Sequence, residues 1–157
     1  MSTQTALDAV GAMMEPLAKS KGLGFEIRHC SGDASAWADA PRVQQILINL
    51  VSNALKFTPR GGRISLACSM VGDQVVVSVL DTGPGIPEEK QETIFEPFVQ
   101  LGRSLTSTSH EGVGLGLAIS RGLARAMGGD LKVSSYVGQG STFTLILPRA
   151  GKKEMDS

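Results

Sequence analysis

The sequence predicts an α+β fold: a two-layer α/β sandwich in which helices cover one face of a mixed sheet. Three observations lead there. About three segments carry the apolar spacing of amphipathic helices. About five or six shorter runs alternate like strands. The later runs come in pairs joined by glycine turns, which makes most of the strand pairing antiparallel.

Residues 6–21 read as a helix with Leu7, Val10, Met14 and Leu17 on one face. Gly22 stops it, and Pro16 is expected to kink it or delay its start. Residues 24–30 read as a strand, with 36–38 as a short partner. The strongest helix is 41–57, with Asp39 as its cap and Pro41 in its first turn. Val43, Ile46, Leu47, Leu50, Val51 and Ala54 form its apolar stripe, and Thr58-Pro59-Arg60-Gly61-Gly62 ends it. Strands 63–70 and 74–81 follow, joined by Val71-Gly72-Asp73. Residues 81–113 are loop-rich, with a polar run from Gly102 to Glu111. Helix 115–127 is expected to turn Leu115, Ala118, Ile119, Leu123 and Ala126 inward and to close at Gly128-Gly129. Strands 130–136 and 141–148 pair around Gly138-Gln139-Gly140. One domain is expected over 1–150, followed by a polar tail at 151–157.

The chain has 157 residues, 41% hydrophobic and 19% charged, which suits one globular domain with a real core. Aromatic residues are only 4%, so that core must be aliphatic. Lys+Arg and Asp+Glu are 15 each and cancel, which leaves no nucleic-acid footprint and no membrane-surface patch. No apolar run approaches the roughly 20 residues of a membrane span, and no signal peptide is visible. The expectation is a cytoplasmic, monomeric domain cut from a larger protein, whose own membrane anchorage is left open. Cys30 and Cys68 both lie in apolar, strand-like runs and are expected to be reduced, buried thiols rather than a disulfide.

Four local patterns carry chemistry. On the long helix, Asn49, Asn53 and Lys56 share one side next to Arg42, away from the apolar stripe. An amide oxygen suits a hard cation and an ammonium suits phosphate. Asp81-Thr82-Gly83-Pro84-Gly85-Ile86-Pro87 ends an apolar strand in a glycine loop, where a carboxylate can accept from a purine amino group. Gly112-Val113-Gly114-Leu115-Gly116-Leu117 runs into a helix, a place where backbone N–H groups face anions. It follows no strand, so a dinucleotide fold is excluded. Gly138-Gln139-Gly140-Ser141-Thr142-Phe143 turns into the last strand and offers a hydroxyl. Each pattern alone has a plainer reading as a solvated helix face, a turn or a hairpin.

Together, in this order, they resemble the N, G1, G2 and G3 boxes of the GHKL (Bergerat-fold) ATPase and kinase superfamily. Ile94-Phe95-Glu96-Pro97-Phe98 is similar to the F box of its histidine kinases. The resemblance covers about residues 6–148. It implies an ATP-binding catalytic domain of a two-component sensor histidine kinase, with ATP and Mg²⁺ as ligands. By that resemblance Asn53 is the Mg²⁺ ligand, Asn49 its partner one turn earlier, and Lys56 the phosphate contact. Asp81 reads adenine, with Gly83, Gly85 and Ile86 lining the base. Gly112, Val113, Gly114, Leu115, Gly116 and Leu117 form the phosphate side. Ser141 is the G3 hydroxyl; its neighbour Thr142 points the other way. Residues 100–111 correspond to an ATP lid anchored by Phe95 and Phe98. That stretch reads Ser107-Thr108-Ser109-His110 where many relatives are basic, so the charge for the γ-phosphate is expected from Arg103 or from elsewhere.

ATPases of the superfamily place a water-activating Glu where this chain has Asn49, and an amide takes no proton at neutral pH. His29 and His110 lack the surroundings of a phosphoacceptor. The acceptor histidine is therefore expected on separate dimerisation helices upstream of Met1, with a response regulator further downstream. A non-catalytic ATP-sensing domain is the second reading, countered by complete N, G1 and G2 boxes. An anti-sigma-type Ser/Thr kinase is the third, countered by the F box and by Lys56-Phe57-Thr58-Pro59.

Overall fold

A computed structural model describes residues 1–30, 34–96 and 116–150. Its elements run α1 (Thr3–Lys21), β1 (Gly24–Arg28), α2 (Ala40–Phe57), β2 (Arg63–Val71), β3 (Gln74–Asp81), two short 3₁₀ turns (Glu88–Lys90, Thr93–Phe95), α3 (Gly116–Ala126), β4 (Asp130–Tyr136) and β5 (Gly140–Pro148). The five strands form one sheet in the order β1-β2-β3-β5-β4. Only β1 and β2 pair in parallel, because α2 carries the chain across between them. The other three pairs are antiparallel, as the hairpin turns require. The predicted α+β sandwich is the one observed.

Strand alternation explains the layering. Ile64, Leu66, Val75, Val77, Val79, Leu131, Phe143, Leu145 and Leu147 are buried and share the helix-facing side. Ser65, Ser78, Thr142 and Thr144 on the other face are only half-buried. α2 contributes Val43, Ile46, Leu47, Leu50, Val51 and Ala54 to the core, the whole predicted stripe. Asp39 occupies its N-cap position without a side-chain cap bond; its carboxylate instead pairs with Arg42 at 3.1 Å.

α1 starts earlier than expected because the Ser2 hydroxyl accepts from the Thr5 amide at 3.3 Å. It runs unbroken through Pro16, whose orphaned partner carbonyl belongs to exposed Ala12 and stays open to solvent. Leu17 is not part of the buried face: it is 53% exposed, and Ala18 packs inward instead. The inward row steps Leu7, Val10, Met14, Ala18, and three residues beyond Met14 already lie past the stripe. α3 is rotated in the same sense. Ile119 and Ala126 are exposed and Ala118 and Leu123 half-buried, whereas Ser120 and Ala124 are buried. The expected partner of β1 at 36–38 pairs elsewhere: Ala36 bridges Arg149 at the end of β5.

The cysteines also depart from expectation. Cys30 and Cys68 form a disulfide with Cα atoms 4.7 Å apart. The parallel register places Arg28 opposite Ala67, so the chain just past β1 runs beside Cys68. Both cysteines are only half-buried at the margin of the core, where two thiols meet across strands instead of packing separately. The link closes a sequence separation of 38 residues. Chain entropy alone then gives a stabilisation of about 3–4 kcal/mol. Reduction should lower the thermal midpoint clearly, by about 6–16 °C for a domain of this size, measured by calorimetry with and without dithiol. An unchanged midpoint, or free thiols in a non-reducing peptide map, would contradict the link.

Candidate functional site

The helix-facing side of the sheet ends at Asp81 in β3 and Ser141 in β5, which are direct partners in the antiparallel ladder. Their side chains therefore emerge on the same face, beside each other, while Thr142 points to the opposite face. Asp81 Oδ1 accepts from the Gly83 amide at 2.8 Å, and the Ser141 amide also bonds the carboxylate. Burial pushes the Asp81 carboxyl above the ordinary aspartate range, partly opposed by those two amides. A half-buried acceptor thus stands at the edge of an aliphatic core.

The chain after Asp81 is shaped by steric limits. A Cβ on Gly83 would lie 3.0 Å from Asp81 Oδ1, 3.3 Å from the Phe57 carbonyl and 3.5 Å from Thr58 Oγ1. Gly83 is buried, and its lack of a side chain lets the carboxylate and the end of α2 close on it. Thr58 is fully buried, and its hydroxyl has no hydrogen-bond partner among the described residues. Gly85 has a different reason to be glycine. Its φ is +80°, and a Cβ there would overlap the Tyr136 carbonyl. The close approach at Gly85 is therefore to the β4–β5 hairpin, held by the Gly138 amide donating to the Pro84 carbonyl at 2.7 Å. Ile86 is 4% exposed and belongs to the core.

α2 presents Asn49, Asn53 and Lys56 on one side, all half-buried. Asn53 and Lys56 lie in its last two turns, and the helix end just beyond them, at Phe57 and Thr58, lies against Gly83. Lys56 Nζ sits 5.5 Å from the centre of the Phe57 ring. Lys21 of α1 donates to the Leu55 carbonyl and, at 3.3 Å, to the Lys56 carbonyl, capping this helix end with positive charge. Asn49 is engaged with α3: its Nδ2 donates to Ser120 Oγ at 3.0 Å, and its amide occupies the space a Gly116 side chain would need. Arg42, paired with Asp39 at the start of α2, stands apart from this group.

Gly116 and Leu117 open α3, Gly116 against Asn49 and Leu117 packed on the core. Gly112, Val113, Gly114 and Leu115 lie outside the described residues, as do the expected lid at 100–111 with Arg103 and His110, the residue Phe98 and the tail at 151–157. Phe95 is a core residue, edge-on to Phe143 at 6.4 Å, with the Arg121 guanidinium 4.3 Å from its ring centre. Arg121 also pairs with Glu92 at 2.6 Å. His29 is exposed, 3.8 Å from Asp8.

Residues that the sequence reading did not single out complete the arrangement. Ser135 Oγ touches three groups and the Gln91 side chain ties two carbonyls, joining the loop after Asp81 to the β4–β5 hairpin. The pairing of Ser135 opposite Ser141 follows from the two-strand alternation around the hairpin turn, which was the available signal. Among the described residues no three His, Cys, Asp or Glu side chains converge on a common point, so a divalent cation here would rest on an amide oxygen and on ligand oxygens. No described helix is long and apolar enough to cross a membrane.

Residues 38–151 match the family described as histidine kinase-, DNA gyrase B- and HSP90-like ATPases. An uncharacterised sensor-like histidine kinase of Rhizobium meliloti is 38% identical over 143 residues, which cover 91% of this chain and 27% of that protein. The solved structure of full-length histidine kinase ShkA in complex with AMPPNP superposes with a TM-score of 0.83 at 38% identity, over 96% of this chain and 30% of that one. Histidine kinase ThkA in complex with the response regulator TrrA superposes with a TM-score of 0.77 at 28% identity, over 98% of this chain and 42% of that one. The chain spans about a quarter of the length of the Rhizobium relative, 27%.

Because burial raises the Asp81 pKa in the folded state, the neutral form is favoured there. Stability from this group is full below the unfolded pKa and is lost as pH rises through the raised folded value. The difference in urea midpoint between wild type and Asp81→Asn, followed from acid to neutral pH, should show that decline. An identical pH profile in the variant would show that Asp81 carries no such cost.

Proposed function

We propose, because this chain belongs to the histidine kinase-, DNA gyrase B- and HSP90-like ATPase family, that it binds Mg²⁺–ATP and transfers the γ-phosphoryl group to a histidine on a separate dimerisation and phosphoacceptor domain. The observation that carries this reading is the placement of the Asp81 carboxylate beside Ser141, with Gly83 packed between that carboxylate and the end of α2. An acceptor pair against an aliphatic wall suits a flat base with an exocyclic amine. The AMPPNP bound to ShkA supports an adenine nucleotide as the ligand.

In this mechanism Asp81 accepts from the purine amino group, while Gly83, Gly85 and Ile86 form the loop under the base. Lys56 meets phosphate from the last turn of α2. The Gly112, Val113, Gly114, Leu115, Gly116 and Leu117 segment supplies backbone N–H groups to the phosphates. Asn53 offers an amide oxygen to Mg²⁺, which when bound neutralises charge on the phosphates. Asn49 holds the N-box helix against α3 through Ser120 as well as bordering the cation. It supplies no base for water, so the domain positions ATP for an incoming histidine rather than hydrolysing it. The response regulator held by ThkA supports a receiver domain as the next acceptor. A cytoplasmic setting fits this phosphorelay.

Two measurements test this. Calorimetric titration with Mg²⁺–ADP should show Asp81→Asn binding about 5- to 100-fold more weakly, the range for a mispaired buried group. Equal affinity would remove the base-reading role. With γ-labelled ATP, acid-labile label should appear on an added phosphoacceptor hairpin of the parent protein and not on this chain. Fast phosphate release by the chain alone would favour the ATPases of the family instead.

A further inference from the structure

Ser135 is 8% exposed, lies in β4 opposite Ser141, and makes three contacts with one oxygen. The Ile86 amide donates to Ser135 Oγ at 2.7 Å. Ser135 Oγ lies 2.8 Å from the Gly140 carbonyl and 2.8 Å from Ser141 Oγ. A serine hydroxyl has one proton and two lone pairs. The amide can only donate and the carbonyl can only accept. The arrangement that satisfies all three contacts is therefore unique: Ser135 gives its proton to Gly140, and it accepts from Ile86 and from Ser141. That commits the Ser141 proton to Ser135 and leaves only lone pairs of Ser141 for anything else.

We propose that Ser135 is a positioning residue that fixes Ser141 as a hydrogen-bond acceptor and so makes the base pocket selective for a 6-amino purine. This rests on the nucleotide reading above. Asp81, ionised, is acceptor-only, and Ser141 stands beside it in the ladder. With its proton committed, Ser141 matches that polarity. An exocyclic amine meets two acceptors; a 6-oxo group presents lone pairs to lone pairs and leaves them unpaired. Gln91 secures the geometry, donating to the Ile86 carbonyl at 3.0 Å and the Ser135 carbonyl at 2.9 Å, so the loop and the hairpin stay in register.

The test compares ADP with inosine diphosphate, which carries an oxo group where adenine carries the amine. Both are titrated with Mg²⁺ into wild type, Ser135→Ala and Ser135→Thr, with Ser134→Ala as an exposed neighbour control. In Ser135→Ala the Ser141 hydroxyl is released and can donate to the oxo group. ADP affinity should fall about tenfold, as for loss of a buried polar partner. Inosine diphosphate affinity should fall much less, narrowing the ratio at least about threefold. Ser135→Thr, which keeps the hydroxyl, should restore the ratio. Equal losses for both nucleotides would mean that Ser135 only supports the fold, and would overturn the proposal. If circular dichroism shows Ser135→Ala unfolded, Ser141→Ala carries the test, and an unchanged ratio there overturns it equally. Wild type binding neither nucleotide would instead defeat the ATP-site reading, and this inference with it.

Discussion

Gly140 and Asp81 meet backbone to backbone. A Cβ at position 140 would overlap the Asp81 carbonyl, and Gly140 holds φ at +104°. This contact closes the ladder between β3 and β5 at the end where both strands leave the core. Everything at the site follows from it. Asp81 and Ser141 become neighbours, the loop after Asp81 must turn toward α2, and Ser135 comes to lie under Ser141. A larger residue at 140 would separate the strands there and scatter the polar groups, even with every one of those side chains still present.

The buried layer gives that strand end a rigid base. Val75, Val77 and Val79 lead up to Asp81 on the helix-facing side, and Phe143, Leu145 and Leu147 lead away from Ser141 on the same side. α2 lies over them with its stripe inward, so its last turns are held close to the carboxylate while Asn53 and Lys56 stay half-exposed. Lys21 fixes the end of that helix from α1. The cost sits at Asp81 itself, where burial disfavours the charge that a ligand would use. A carboxylate held in this way lowers the stability of the folded chain as it ionises.

Most of this was legible in the residues. The α2 stripe, both hairpins and the order of the boxes set the layers and brought Asp81, Gly83 and Ser141 to one end. What was not legible depends on contacts between elements. Leu17 and Ile119 are apolar and fall near the predicted faces, yet the packing of α1 and α3 turns them outward. Cys30 looked like a core thiol because its pairing depends on where β1 ends relative to β2. The tight contact of Gly85 with Tyr136, 51 positions along the chain, has no signal in the local pattern around either residue. Ser135 has no motif of its own; its role is visible only through the proton it must give to Gly140.

The central claim is that the nucleotide base sits against the Asp81–Ser141 end of the sheet. Amide chemical shifts during titration with Mg²⁺–ADP test it most directly. The largest changes should fall on Gly83, Ile86 and Ser141, with Asn53 and Lys56 following as the phosphates engage. The opposite end of the sheet, at Trp37, Val71 and Asp73, should stay unchanged. Shifts concentrated at that opposite end, with Gly83 and Ser141 unmoved at saturation, would contradict the account.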